Sequence, residues 1–235
     1  TGVAIGMLTT VALAEQIRDG KLDGSVVFQA AIGEETAEPG TKTLLERGYD
    51  GDYGVVLEPT AMRTATSEKG LAWYEITVAG DPSHASRPEQ GSNAVRNARP
   101  VLDALDEYDA TVRERVDDLL DRAYATVTMV DAGTKENVVP EKMTITVDRR
   151  FLPEEDVSVI DEEINELLTE TADKHGINIS WRRTRTYESA AIDPDSYLAG
   201  VLRRHSAAVA DVPGEPWGIV ASTDVRNFVN DAGME

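Results

Sequence analysis

The first quarter of the chain carries two kinds of apolar pattern. Apolar residues between positions 5 and 17 recur at helical spacing, which predicts an amphipathic helix. Near-continuous apolar runs at 25–32 and 53–59 predict two buried parallel strands, with a short helix at 41–46 between them. Helix and strand alternating in this way predict an α/β layer built on a parallel sheet.

The pattern changes after residue 64. Segment 71–80 alternates apolar and polar positions, as a half-exposed antiparallel strand does. Apolar residues between 93 and 105 share one helical face, although Pro100 should kink or restart that helix. The spacing predicts a further helical stretch over 112–122.

The next segment completes a recognisable order of elements. Two strands are expected at 124–133 and 142–150, followed by a long amphipathic helix over 155–175 that Gly176 ends. A last strand is expected at 177–183. The resulting order, β-α-β-β-α-β, is the ferredoxin-like split βαβ plan.

A return to helix and buried strand follows, with a helix expected near 195–209 and a strand at 217–222. The sequence therefore predicts an α/β protein in which residues 65–185 form a small domain inserted into a parallel-sheet domain. That outer domain comprises residues 1–64 and 186–235.

Composition excludes some kinds of site and disfavours some kinds of partner. The 235 residues contain no cysteine and only three histidines, so disulfides and thiolate metal sites are excluded and a metal site must use carboxylates. The formal net charge of −20 disfavours binding to nucleic acid or to anionic membranes, and no apolar run approaches membrane-spanning length.

The charged residues also suggest a habitat. Lysine is scarce beside arginine, and acidic residues outnumber basic ones 43 to 23. Salt screens the self-repulsion of such a chain. We therefore expect a halophilic, cytoplasmic protein.

An acidic pair follows the first predicted strand. Glu34 and Glu35 come directly after Gly33, at the carboxyl end of segment 25–32. Ligands of open α/β sheets bind at that edge, where one carboxylate could hold a cation and the other accept a proton from water. A solvated surface turn is the alternative.

Four further positions could carry chemistry. Glu58 closes the second predicted strand, and His84 lies in a loop where it could donate to a developing oxyanion. Asn137 and Arg150 flank one predicted hairpin and could hold a substrate carboxylate. Each also has a structural interpretation: a capping or salt-bridged Glu58, a loop histidine, a turn asparagine and an ion-paired arginine.

A last polar stretch follows the strand at 217–222. Ser222 and Thr223 could bind substrate or could cap the next helix. No P-loop, dinucleotide-binding fingerprint or nucleophile elbow is present in the sequence.

Seven segments in order make the sequence resemble the M20 family of zinc peptidases and deacylases. They are GEETAEPGTKTLL, VVLEPT, KGLAWYEITVAG, SHASRPEQGSNAV, NVVPE, VDRRFLP and ASTDVRNF. The resemblance runs the whole length of the chain. It implies a zinc-hydrolase-type catalytic domain carrying a lid and dimerisation domain.

The resemblance implies roles for the carboxylates. Glu34 corresponds to the general base, Glu35 to a metal ligand and Glu58 to the ligand of a second metal. Two Zn²⁺ ions per subunit are expected, with Co²⁺ possible. The family's other three ligands, two histidines and a bridging aspartate, have no counterpart here, so we expect the chain to be a fragment that binds little metal.

The resemblance also implies a shared active site. His84 corresponds to a lid histidine that reaches the partner subunit, which implies a homodimer joined through the lid. Asn137 and Arg150 correspond to residues that hold the substrate carboxylate. Ser222 and Thr223 occupy a substrate-binding stretch, although an alanine precedes them where the family has glycine.

Three functions fit these expectations. The first is hydrolysis of an amide bond in a small N-acyl amino acid, of the deacetylase or desuccinylase type. It is favoured because Glu58 stands where aminopeptidase relatives tend to carry aspartate. The second is a carboxypeptidase or dipeptidase, and the third is a non-catalytic dimeric homologue that binds a ligand.

Overall fold

A computed structural model describes residues 2–33 and 39–235, and the chain divides into two compact units. We call Lys69–Ser189 the insert unit, and the chain up to Glu68 together with Ala190–Glu235 the base unit. Both dividing points lie four residues later than those expected from sequence, after Glu68 and after Ser189. Within the described residues, no helix is long and apolar enough to cross a membrane.

The elements follow one another in chain order. The helices are α1 (Gly2–Arg18), α2 (Pro39–Glu46), α3 (Ala94–Asn97), α4 (Arg99–Val112), α5 (Val157–His175) and α6 (Tyr197–Ala210). The strands are β1 (Ala65–Glu68), β2 (Gly70–Ala79), β3 (Val116–Asp117), β4 (Asp121–Arg122), β5 (Tyr124–Ala132), β6 (Lys142–Phe151), β7 (Ile179–Tyr187), β8 (Ala190–Ala191) and β9 (Trp217–Ile219).

The insert unit contains a four-stranded antiparallel sheet in the order β5-β6-β2-β7. Alternate residues of β2 are fully buried against the helices, while Trp73 and Glu75 point to the opposite face. Helices α4 and α5 pack on the sheet and contribute Leu105 and Ile164 to its core. The predicted β-α-β-β-α-β order is confirmed.

Local signals set the ends of these helices. Asn93 caps α3 by accepting hydrogen bonds from two backbone amides of the first turn, and Pro100 lies in the first turn of α4. The expected restart at Pro100 is confirmed. Asp156 caps α5, and Gly176 ends it with a φ of 62°, a left-handed conformation that favours glycine.

The helix expected over 112–122 is wrong. Helix α4 ends at Val112, and the chain forms the short hairpin β3–β4. The Asp117 carboxylate accepts hydrogen bonds from the amides of Leu119 and Leu120, at 2.7 and 2.9 Å. A short polar side chain that accepts hydrogen bonds from nearby amides offers the backbone an alternative to helical hydrogen bonds. The spacing of apolar residues carries no information about this alternative.

A buried charged network ties the insert unit together. The fully buried Arg149 pairs with Glu155, which also pairs with Arg115, and Arg115 pairs with Glu163 at 2.7 Å. Tyr108 donates to Glu163, and burial raises the pKa of Tyr108 to about 12. Burial opposes ionisation of Glu163, but hydrogen bonds from Arg115 and Tyr108 outweigh it and lower the pKa of that carboxyl.

The base unit contains a three-stranded sheet in the order β8-β1-β9. Strand β1 runs parallel to β9 and antiparallel to β8. Helix α6 ends at Ala210, and Asp211 caps it in a left-handed conformation with a φ of 53°. The parallel pair places the carboxyl ends of β1 and β9 at the same edge.

Two strand predictions in the base unit are wrong. The structure assigns no strand to 25–32 or 53–59, and Ile32 is 78 % exposed. Apolar runs predict burial, but a strand also needs a hydrogen-bonded neighbour, and within the described residues neither segment has one. Helix α1 forms as predicted but buries none of its residues.

Candidate functional site

Two of the predicted site residues, Glu34 and Glu35, lie outside the described residues. The chain on either side of them is closely held. The Gly40 amide donates to the Ile32 carbonyl at 3.1 Å, and a Cβ on Gly40 would lie 2.4 Å from the Ile32 nitrogen. Only glycine fits this approach, so the described residues Ile32 and Gly40, on either side of positions 34–38, are held in close contact.

A cavity of about 620 Å³ lies within the base unit. Its lining is largely apolar, and its polar side chains include Glu58, Arg63, Glu68 and Thr223. Glu58 is half-buried, and its carbonyl accepts from the Thr60 amide at 2.8 Å. The structure therefore brings predicted residues Glu58 and Thr223 to one cavity.

Glu68 is a site residue that the sequence analysis missed. Its side chain is fully buried at the end of β1, and its Oε2 accepts from the Thr223 amide at 3.0 Å and hydroxyl at 2.6 Å. Buried carboxylates are rare unless they are hydrogen-bonded or paired. The sequence signal that could have identified Glu68 is a carboxylate at the end of a predicted strand, which is the signal that singled out Glu58.

The polar stretch after β9 is held from several directions. Arg226 donates to the Thr223 carbonyl at 2.8 Å. The Thr41 hydroxyl, in the first turn of α2, donates to the Asp224 carboxylate at 2.8 Å. This bond connects the stretch to the helix that follows the acidic segment. Ser222 is half-buried between these contacts and β9.

His84 lies in the insert unit, exposed to solvent. Its Nδ1 accepts a hydrogen bond from the Ser86 amide at 3.1 Å and lies 2.8 Å from the Ser86 hydroxyl. Because Nδ1 accepts, the neutral ring carries its proton on Nε2. An exposed Nε2–H on a ring held in this way can donate to an oxyanion.

Asn137 lies beside His84. The Ala85 amide donates to the Asn137 carbonyl at 2.9 Å, and His84 and Val138 form an antiparallel bridge. Both predicted residues therefore occupy one tip of the insert unit, which we call the histidine tip, defined by residues 83–86 and 137–139.

Arg150 lies at the other end of the same sheet. In the antiparallel register of β6 and β2, Arg150 lies opposite Leu71 near the start of β2. Lys142 lies opposite Ala79, next to the histidine tip. Eight residues along a strand span roughly 26 Å, so one insert unit does not bring Arg150 and Asn137 to the same ligand. The Arg150 guanidinium holds Asp148 through two contacts of 2.8 and 3.1 Å.

The predicted metal site can be tested only in part. No group of three histidine, aspartate or glutamate side chains within residues 2–33 and 39–235 could hold a metal ion. Of the predicted ligands, Glu58 is described and Glu35 is not. The described residues do not by themselves fit a zinc pair, because zinc sites use at least three protein ligands.

Comparison with known sequences identifies the insert unit. Residues 66–176 match the M20 peptidase dimerisation domain. The chain is 29 % identical over 164 residues to a succinyl-diaminopimelate desuccinylase from Halorhodospira halophila, covering 65 % of this chain and 42 % of that protein. It is 34 % identical over 121 residues to a putative [LysW]-lysine/[LysW]-ornithine hydrolase from Aeropyrum pernix, covering 51 % and 30 %.

A third relative aligns over nearly the whole chain. A probable succinyl-diaminopimelate desuccinylase from Staphylococcus epidermidis is 23 % identical over 249 residues, covering 95 % of this chain and 61 % of that protein. The chain thus spans between 30 and 61 % of the length of these relatives.

Solved structures share the fold. A tripeptidase from Staphylococcus aureus superposes with a TM-score of 0.69 at 18 % identity, over 97 % of this chain and 58 % of that one. Aminopeptidase PepT from Bacillus cereus gives a TM-score of 0.71 at 17 % identity, over 99 % and 60 %. The chain therefore contains an M20 peptidase dimerisation domain at residues 66–176 and shares its fold with these two solved peptidase structures.

Proposed function

We propose that the intact protein hydrolyses an amide bond in a small N-acyl amino acid, as a metal-dependent deacetylase or desuccinylase. The observation that carries the proposal is the cavity of the base unit, whose lining includes Glu58, Glu68 and Thr223. Glu68 and Thr223 lie at the carboxyl edge of the parallel strands β1 and β9. Relatives named as a desuccinylase and a [LysW]-lysine hydrolase support the choice of an amide bond.

In this proposal the acidic segment, residues 34–38, supplies the general base and one metal ligand. Glu34 accepts the proton of the attacking water and returns it to the leaving amine. Glu35 and Glu58 act as metal ligands, with Zn²⁺ as the expected ion, two per subunit, and Co²⁺ as a substitute. A bound divalent ion would supply Lewis acidity at the scissile carbonyl.

The general base has a direct test. Glu34→Gln in the full-length protein should lower kcat by roughly 10²–10⁴-fold, while metal content measured by atomic emission stays unchanged. Glu38→Gln is the control, because it removes a carboxylate from the same segment. Turnover at the wild-type rate in Glu34→Gln would reject the assignment.

A substrate panel separates the competing functions. The full-length protein should cleave N-acetylornithine or N-succinyl-diaminopimelate faster than dipeptides. Faster cleavage of dipeptides or of carboxyl-terminal residues would favour the peptidase alternative. Ligand binding with no turnover of any of them would favour the non-catalytic one.

We also propose that the protein forms a homodimer through strand β5. The sheet has two edges, β5 and β7. Strand β7 carries Arg182, Arg183 and Arg185, and charged side chains deter edge pairing. Strand β5 instead exposes Met129 and Val130, at 68 and 58 %. An open apolar edge is suited to pairing with a second copy.

This interface can be tested at its edge. Val130→Lys should convert the dimer to a monomer in sedimentation velocity, because it places two like charges close together across a two-fold axis. Ser180→Lys, an exposed change on β7, is the control and should leave the dimer intact. A dimer that survives Val130→Lys and is lost in Ser180→Lys would place the interface on β7.

The histidine tip gives the dimer a catalytic role in this proposal, because His84 and Asn137 would serve the partner's active site. Mixed dimers of Glu34→Gln and His84→Ala chains, each inactive alone, should then regain about a quarter of wild-type activity, since half the dimers are mixed and each has one intact site. No recovery would mean that His84 serves its own subunit.

The acidic surface is proposed as an adaptation to high salt, which screens repulsion among the charges. A cytoplasmic location stays a prediction from the sequence.

A further inference from the structure

Arg63 is a half-buried arginine that lines the cavity of the base unit. Its Nε is buried and has no hydrogen-bond partner among the described residues. No ion pair within residues 2–33 and 39–235 involves its guanidinium either. A buried donor that lacks an acceptor costs free energy. The cavity therefore presents a positively charged group whose N–H donors an oxygen of a bound ligand would satisfy.

The ring of Trp217 holds this guanidinium from one side. Trp217 is the first residue of β9, and the Arg63 Cζ lies 4.7 Å from the centre of its ring. In the parallel register of β1 and β9, Trp217 lies opposite Ala65, so the sheet of the base unit fixes the backbone that carries the ring. A cation–π contact positions a guanidinium but gives its N–H groups no oxygen acceptor. The contact therefore orients Arg63 without replacing a ligand.

A strained turn leads into Arg63. Ala61 and Met62 have φ values of 52° and 67°, in the left-handed region that favours glycine. The Arg63 amide donates to the Thr60 carbonyl at 3.1 Å, and the Thr60 hydroxyl donates to the Arg63 carbonyl at 2.7 Å. Two hydrogen bonds between its first and last residues thus close the turn. Non-glycine residues in this conformation cost free energy, and they are concentrated at sites where the strain serves a function.

The rest of the cavity suits a small ligand with an apolar body. Its volume of about 620 Å³ lies within the range of small-molecule sites, which are mostly apolar and have a few polar groups that fix the orientation of the ligand. Ile5, Leu198, Leu202 and Phe228 contribute to the apolar lining. Arg63 is the arginine of this lining, so it is the group that a carboxylate of the ligand would contact.

We propose that Arg63 binds a carboxylate of a small ligand in this cavity, and that it thereby selects an acyl group that itself ends in a carboxylate. The proposal rests on the proposed function and chooses within it, because a succinyl group has such a carboxylate and an acetyl group has none. The N–H donors of a guanidinium match the two oxygens of a carboxylate. The two methylene groups of a succinyl chain suit the apolar lining.

Carboxylate binding can be measured without turnover. In the full-length protein, Arg63→Gln should weaken the binding of succinate in isothermal titration calorimetry by roughly tenfold or more, because a charge-assisted hydrogen bond is lost. Arg63→Lys keeps the charge but loses the paired donors, so its affinity should be intermediate. Arg204→Gln, which removes an exposed arginine of α6 outside the cavity lining, is the control and should bind succinate as the wild type does.

Two results of this titration would overturn the proposal. One is equal affinity for succinate in the wild type and in Arg63→Gln. The other is a wild-type protein that binds no succinate at millimolar concentration. The melting temperature of each variant, followed by circular dichroism, shows whether the fold is retained. If Arg63→Gln does not fold, Arg63→Lys decides the question, because affinity equal to the wild type's would then reject paired donation to a carboxylate.

The choice of acyl group is tested by kinetics on two substrates that differ only in that group, N-succinylornithine and N-acetylornithine. The wild type should have the lower KM for N-succinylornithine. Arg63→Gln should raise that KM by roughly tenfold more than it raises the KM for N-acetylornithine, because only the succinyl group loses a contact.

An equal rise in both KM values would reject selection of the acyl group, since Arg63 would then contact a part that the two substrates share. Unchanged KM values for both substrates would reject contact with the substrate altogether. If the wild-type protein cleaves neither substrate nor any other of the panel, the proposed function fails, while the succinate titration still decides whether Arg63 binds a carboxylate.

Discussion

The insert unit and the base unit bury different kinds of side chain. Among the described residues, only three buried apolar side chains belong to the base unit: Ala190, Ala199 and Met234. The other buried apolar residues lie in the insert unit, and all of them except Leu71 and Val139 form one continuous cluster. Most of the large exposed apolar side chains lie in the base unit, including Leu8 at 73 %.

Buried polar residues show the reverse distribution. The base unit buries Glu68, Thr223, Arg226 and Asn227 around one edge of its sheet, together with Thr41 in α2. Burying such groups costs free energy unless they are hydrogen-bonded, whereas burying apolar area is the main source of stability. Within the described residues of this chain, the insert unit therefore buries most of the apolar area and the base unit buries most of the polar side chains.

The strongest test of this contrast separates the units. The insert unit, expressed as residues 69–189, should fold alone and unfold in one cooperative transition by circular dichroism, because its core is complete. Residues 1–68 joined to 190–235 should show no cooperative transition. Cooperative unfolding of that second chain would break the comparison.

Matched substitutions in the two units should lower the free energy of unfolding by amounts that differ by about 2–5 kcal/mol. Ile145→Ala, at a fully buried position of β6, should lower the free energy of unfolding of the insert unit by about 2–5 kcal/mol. Ile32→Ala removes the same atoms from a 78 % exposed position of the base unit and should cost less than about 0.5 kcal/mol. Urea denaturation of both variants measures the difference, and equal losses would contradict it.

Acid should weaken the insert unit through its charged network. The pKa of Glu163 lies below its ordinary value of 4.5, so its contribution to stability is complete above that value and is lost as the pH falls through the lowered pKa. The melting temperature should therefore drop below about pH 4.5, and less steeply in Glu163→Gln. Glu162→Gln, an exposed neighbour, should follow the wild type.

Salt should raise the melting temperature of both units by a similar amount. The base unit has 18 acidic and 8 basic residues and the insert unit 25 and 15, so each carries a net charge of −10. Raising KCl from 0.1 to 2 M shortens the Debye length from about 10 Å to below about 3 Å and should raise the melting temperature. A flat profile would argue against adaptation to high salt.

The sequence predicted the insert unit well because its signals are local. Apolar periodicity, the Asp156 cap and the stop at Gly176 together determine α5, and each lies within a few residues of what it controls. The exception is the β3–β4 hairpin, where hydrogen bonds from Asp117 decide the structure and leave no periodic trace.

The base unit was harder to predict because its decisive contacts are distant in sequence. Glu68 and Thr223 are 155 positions apart, and nothing in either segment indicates the other. The apolar runs at 25–32 and 53–59 predicted strands that the structure does not assign. Whether an apolar segment forms a strand depends on a hydrogen-bonding neighbour, which periodicity does not reveal. Motif resemblance singled out Ser222 and Thr223 but did not indicate that Glu68 accepts hydrogen bonds from Thr223.

Native-state amide hydrogen exchange on the whole chain tests the contrast most directly. The amides of β2 and β6, the central strands of the insert sheet, should exchange slowest, only through global unfolding of that unit. Amides of the base unit, including those of α1, should exchange faster by local opening at the same denaturant concentration. Slowest-exchanging amides spread equally over both units would contradict the account.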